Sequence, residues 1–246
     1  MQPGILYGIS VGTGDPELIT LKGLRLLQQA PVVAFPAGVD KKPGIAQQIV
    51  SGWLKPEQQT LSLHFPYVRD ERLLLSAWQE AARQVWQYLQ QGQDVAFACE
   101  GDVSFFSTFT YLAQTLQQLY SEAIVETVPG VCSPMAAASA LKIPLTIRDR
   151  SLVILPAIYS LKELKTVLDW ADVVVLLKVS SVYRQVWQVL RERNLLQSSW
   201  IIERASFPDQ VIYSNLNHYP QLKLSYFSLL LIQVIDNQQS MINADF

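Results

Sequence analysis

Short apolar runs recur along the first half of the chain, at residues 5–11, 32–35, 60–65 and 95–99, with amphipathic stretches between them. This alternation predicts an α/β unit with a parallel sheet and crossover helices. The longest helical period opens near Asp70, a suitable N-cap, and sets Leu74, Trp78, Ala81, Ala82, Val85 and Leu89 on one face. A second period places Phe105, Phe109, Leu112, Leu116 and Leu119 at steps of four and three, as in an amphipathic helix with an aromatic start. The pattern weakens at 120–123 and a new cycle starts at 124–128, which predicts two α/β domains, 1–121 and 122–246. In the second domain the apolar runs are 152–155, 173–178, 200–203, 211–213 and 227–234. The last of these follow one another with a single weak helical candidate, so antiparallel pairing and a mixed sheet are expected. Residues 237–246 read as a frayed tail.

Composition narrows the function class. Half of the 246 residues are hydrophobic, yet charges interrupt every apolar run. None approaches the roughly 18 residues that a membrane-spanning helix needs. The N-terminal MQPGILYGIS carries no cationic segment ahead of its apolar stretch, so no secretory signal and no membrane partner are expected, and the cytoplasm is the default location. A net charge of -2 argues against nonspecific nucleic-acid binding, which depends on clustered Lys and Arg. Cys99 and Cys132 are the only cysteines, without the spacing of a disulfide framework or a zinc site, and no protein-bound metal is expected. Neither His64 nor His218 stands beside a Ser or Cys motif, which disfavours a histidine-based triad.

Three stretches carry candidate chemistry, each joining an apolar run to a Gly-containing turn and then to a helical run. They are residues 8–23 (GISVGTGDPELITLKG), 99–112 (CEGDVSFFSTFTYL) and 128–145 (VPGVCSPMAAASALKIPL). Gly12, Gly14 and Asp15 lie between a strand and a helical run, where exposed amides collect at a helix N-terminus or form an ordinary tight turn. The third glycine of a dinucleotide fingerprint falls on Glu17, and no P-loop occurs. Glu100, Gly101 and Asp102 follow a strand whose carboxyl end is where open α/β sheets bind ligands. Asp102 either accepts from a ligand or caps the next helix. Phe105 and Phe106 read as core residues. Pro129 and Gly130 end a strand, and the small residues after them allow close approach of a ligand or of another backbone. Lys178 interrupts the buried run at 173–177, as at a strand end that opens into a cleft or into solvent.

In this order and spacing, the motifs resemble the tetrapyrrole methylase family, whose members transfer methyl groups from S-adenosylmethionine. The likeness spans residues 4–234. The CEGD turn with its FFSTFTYL continuation, PGVCSPMAAAS and the ERAS segment at 203–206 are most similar to the family's precorrin-2 C20-methyltransferases. The resemblance implies two domains with a cleft between them, S-adenosylmethionine as methyl donor, a tetrapyrrole substrate and a homodimer. By motif position the donor site would use Thr13, Glu100, Gly101, Asp102, Phe105, Cys132, Ser133, Leu177, Lys178 and Ala205. Gly14, Asp15, Arg148, Arg150 and Arg204 would face the carboxylate-rich substrate. Asp102 and Glu203 are the carboxylates available as a general base, and no residue stands out for that role. Thr13 and Val103 stand where relatives often carry Pro, Cys132 where they carry Ser or Thr, and Leu177 where Met is common. Other methylases of the family, a noncatalytic donor-binding protein of the same fold and a nicotinamide-dependent enzyme are the competing readings.

Overall fold

The computed structural model describes residues 2–38, 42–68, 70–157 and 160–234. The tail expected to fray at 237–246 lies outside the described residues. Two compact units emerge, Met1–Cys132 and Ser133–Phe246.

The first unit alternates β1 (Ile5–Ser10), α1 (Leu21–Gln29), β2 (Val32–Pro36), α2 (Ile45–Val50), β3 (Gln59–Leu63), α3 (Glu71–Leu89), β4 (Val95–Cys99), α4 (Thr108–Leu119) and β5 (Ile124–Val128). Its five strands pair in the order β3-β2-β4-β1-β5, every pair parallel. Successive strand residues point to opposite faces, and helices cover both. Leu6, Val32, Ala34, Val95 and Phe97 pack with α3 and α4, while Ile9, Val33, Phe35, Ala96 and Ala98 pack with α1 and α2. Two-sided burial explains why these strands are apolar throughout.

The domain boundary expected between 121 and 122 is corrected to Cys132/Ser133. Residues 124–128 do not open a new unit: β5 is the edge strand of the first sheet, with Ile5 to Ile9 of β1 paired against Ile124 to Val128. The polar stretch before β5 is an exposed turn within the unit.

Asp70 caps α3 as expected, its carboxylate accepting from the amides of Arg72 (2.9 Å) and Leu73 (3.3 Å). The aromatic period resolves differently. α4 starts only at Thr108, capped by Ser107, so Phe105 precedes the helix, and Leu119 at its far end is exposed. Phe109, Leu112 and Leu116 form the buried stripe.

The second unit contains α5 (Ser133–Leu141), β6 (Leu152–Leu155), α6 (Leu161–Val167), β7 (Val173–Leu177), α7 (Tyr183–Glu192), β8 (Ser199–Glu203), β9 (Val211–Ser214) and β10 (Ser228–Gln233). The sheet order is β6-β7-β10-β8-β9. Only β6 and β7 run parallel, and β10 pairs antiparallel with both β7 and β8. Among the described residues no helix is long and apolar enough to cross a membrane.

Candidate functional site

The first unit concentrates its candidate chemistry at the carboxyl ends of its three neighbouring strands β4, β1 and β5. The loops beyond them are bonded to one another. The amide of Gly12 donates to the carbonyl of Gly101 (3.3 Å), and the amide of Gly101 donates back to Gly12 (2.7 Å). Both glycines hold positive φ, +77° and +72°, which a side chain would resist. Ser10, the polar last residue of a buried strand, donates its hydroxyl to the Val128 carbonyl (2.6 Å) and accepts from the Val103 amide (3.0 Å).

Asp102 completes the lock. One carboxylate oxygen accepts from the amide (2.8 Å) and hydroxyl of Ser104, and the other from the amide of Gly130 (2.7 Å). Burial opposes its charge, but the bonds from Ser104 and Gly130 outweigh that and hold the carboxyl below its ordinary range. Asp102 therefore stays ionised and ties two strand-end loops together. It closes a local turn onto Ser104, while Ser107 caps α4, so the helix-capping alternative does not hold. Gly130 sits so close to β1 that a Cβ there would collide with Cβ of Ser10. Its smallness serves backbone packing.

Gly101 is different. It is buried, yet a Cβ built on it would meet only Cα of Cys132, at 4.0 Å. The turn thus presents bare backbone to a narrow open space, which fits a group recognised through main-chain contacts. Thr13 and Gly14 are buried in the adjoining loop, and Glu100, Phe105 and Cys132 are half-buried. Cys99 points away into the core, hydrogen-bonded to Ser107 at 2.8 Å, and burial pushes its thiol up to about 12. Asp15 caps a single 3-10 turn, Pro16–Leu18, and occupies the Glu17 amide itself (2.8 Å). The open helix N-terminus anticipated there is absent, because α1 begins only at Leu21 under its own cap, Thr20.

The other candidates belong to the second unit. The end of β7 and the end of β8 flank the start of β10: Leu177 pairs with Leu229, and Glu203 with Ser228. Lys178 is exposed at φ +54°, with its ammonium 5.7 Å from the centre of the Tyr226 ring. Glu203 accepts from the Tyr213 hydroxyl (3.1 Å) and the Ser225 amide (2.7 Å), so both of its oxygens are engaged. Arg204, at φ +50°, pairs with Asp209 (2.7 Å) and covers the ring of Phe207, and Ala205 is buried. Arg148 is exposed at φ +50°, whereas Arg150 is half-buried near Asp172. Ser133 opens α5.

Sequence reasoning missed Ser10, Ser107 and the tie from Asp102 to Gly130. Ser10 carried the one usable signal, a lone hydroxyl closing an apolar strand. Phe106, expected in the core, is 57% exposed.

The family model for the tetrapyrrole (corrin/porphyrin) methylases matches residues 5–218, most of both units. The chain belongs to that family. Among its relatives is a cobalt-precorrin-2 C(20)-methyltransferase of Salmonella typhimurium, 30% identical, with 93% of this chain and 96% of the relative covered. A precorrin-2 C(20)-methyltransferase of a Sinorhizobium species is 27% identical over 93% of this chain and 95% of its own. The solved uroporphyrin-III C-methyltransferase of Thermus thermophilus, complexed with S-adenyl homocysteine, shares the fold at a TM-score of 0.67 and 20% identity, covering 99% of this chain and 96% of that one.

Proposed function

We propose that this methylase transfers a methyl group from S-adenosylmethionine to C20 of precorrin-2 or cobalt-precorrin-2, a step of cobalamin biosynthesis. The observation that carries the reading is the match to C20-methyltransferases along nearly the whole of both chains. The Gly101 turn supports the donor assignment, since a buried glycine there presents its backbone to open space at the carboxyl end of β4.

In this reading Thr13, Glu100, Gly101, Asp102, Phe105 and Cys132 of the first unit hold the donor; Ser133, Leu177, Lys178 and Ala205 are donor-contact candidates by motif position. Gly14, Asp15, Arg148, Arg150 and Arg204 serve the carboxylate-rich substrate. When bound, the donor supplies an electrophilic methyl group on a positively charged sulfur. The chain orients the acceptor carbon, and such orientation contributes roughly 7 to 11 kcal/mol. Asp102 works by fixing the loops, because a carboxylate held ionised by its hydrogen bonds is a weak base. Glu203 has both oxygens occupied by Tyr213 and Ser225. Neither of these two carboxylates is assigned as the base for the C20 proton. The resemblance also supports a cytoplasmic homodimer, which light scattering tests as twice the chain mass.

The decisive assay is anaerobic, with methyl-labelled donor and precorrin-2 or cobalt-precorrin-2 in parallel, the methylated carbon being read by NMR. Label at C20 is the expected result, and the faster substrate identifies the natural one. Label at another carbon, or transfer only to uroporphyrinogen, would reassign the chain to another branch of the family. Tight donor binding without transfer to any tetrapyrrole would make it a noncatalytic binder.

A further inference from the structure

Phe106 is an anomaly in an otherwise economical loop. Its apolar neighbours Val103 and Phe109 are buried, but its own ring is 57% exposed. Its backbone adopts φ +52°, a region that bulky side chains rarely enter. Looseness does not explain the exposure, because the residue is bracketed by anchors. Upstream, the Phe105 amide donates to the Asp102 carbonyl (3.1 Å) and the Asp102 carboxylate grips Ser104 and Gly130. Downstream, Ser107 binds Cys99 and caps α4 through the Phe109 amide (3.0 Å). Phe105 meets the Phe106 ring edge to face, with centroids 4.7 Å apart, and orients it. A residue held rigidly in an unfavourable conformation, with an apolar face turned to solvent, is characteristic of functional sites.

The same loop carries Gly101, whose buried backbone faces open space. We infer that Phe106 is a specificity-determining residue whose exposed ring packs against the apolar face of the tetrapyrrole macrocycle. This rests on the C20-methyltransferase reading. Charged groups recognise the carboxylate rim of such a substrate but leave the ring system itself unread. An exposed aromatic beside the donor turn supplies that missing contact.

The position permits a test in which structure and recognition pull apart. Glycine adopts φ near +52° without strain and asparagine tolerates it, so F106G and F106N preserve or raise the melting temperature. Equilibrium titration with cobalt-precorrin-2 in the absence of donor is expected to show an affinity about tenfold weaker for both variants. F106Y, which keeps the ring, restores it, and the affinity for S-adenosylhomocysteine stays unchanged in all three. Variants that bind cobalt-precorrin-2 like the wild type, or melt markedly lower, would show that the ring is only structural and overturn the inference alone. A wild-type protein that neither binds nor methylates cobalt-precorrin-2 or precorrin-2 would overturn the functional reading, and the inference with it.

Discussion

The two units solve the presentation of a site in opposite ways. In the first, parallel strands end in loops joined by main-chain bonds, with Asp102 and Ser10 as internal clamps, and the surface offered at Gly101 is backbone. In the second, the ends of β7 and β8 carry long side chains, Lys178 and Arg204, on left-handed backbone. Main-chain recognition is insensitive to the identity of neighbouring side chains. Side-chain recognition is adjustable residue by residue, which suits selection among related tetrapyrroles.

Glycine substitutions break the contrast most sharply. Gly101→Val places a β-branched residue at φ +72° and fills the space beside Cys132. Donor affinity measured by calorimetry is expected to fall about a hundredfold. Gly130→Ala collides with Ser10 instead, so its main effect is a stability loss of about 1–3 kcal/mol in denaturant titration. Exchanged outcomes would exchange the two roles. Next comes Asp102→Asn, expected to cost about 1–3 kcal/mol of stability at neutral pH. The folded carboxyl titrates below its unfolded value, so this contribution is present above about pH 4 and disappears as pH falls through the lowered folded value. The gap between wild type and variant should therefore close in acid, and a gap independent of pH would remove the clamp from the account.

Arg148→Ala tests the side-chain half. It is expected to raise the apparent requirement for tetrapyrrole about fivefold while sparing donor affinity, and the reverse pattern in steady-state kinetics would move Arg148 to the donor. The smallest effect concerns the thiols. Cys99 is buried with its thiol pushed up to about 12, and Cys132 is half-buried beside Gly101. A thiol reagent at mild pH is expected to label Cys132 alone in the native protein, with S-adenosylhomocysteine slowing the reaction. Labelling of Cys99 at the same rate would contradict its burial.

The strands β1, β2 and β4 were legible because burial on both faces of a sheet demands nearly unbroken apolar runs, whereas the edge strand β3 was legible by its apolar-polar alternation. The three motif loops were legible by their glycines. What remained hidden depends on contacts across the chain. That β5 belongs to the first sheet follows from its register with β1, more than a hundred residues earlier in the chain, which no local composition shift reports. The exposure of Phe106 depends on where α4 starts, and its apolar period concealed that by extending upstream of the Ser107 cap. Asp102 looked like a ligand contact or a cap, and its partner Gly130, 28 positions away, could be found only in three dimensions. Likewise the engagement of Glu203 by Tyr213 and Ser225 is invisible in the ERAS motif.

The reciprocal bonds between Gly12 and Gly101 form an isolated antiparallel bridge just beyond the parallel pairing of β1 and β4. Loops at binding sites usually exchange their amide hydrogens early, since they open with little free energy. These two amides should instead exchange slowly, near the rate of the β1 and β4 cores. A molecule arriving there meets a surface that has already surrendered its conformational freedom, so association should proceed with little heat-capacity change from ordering the chain.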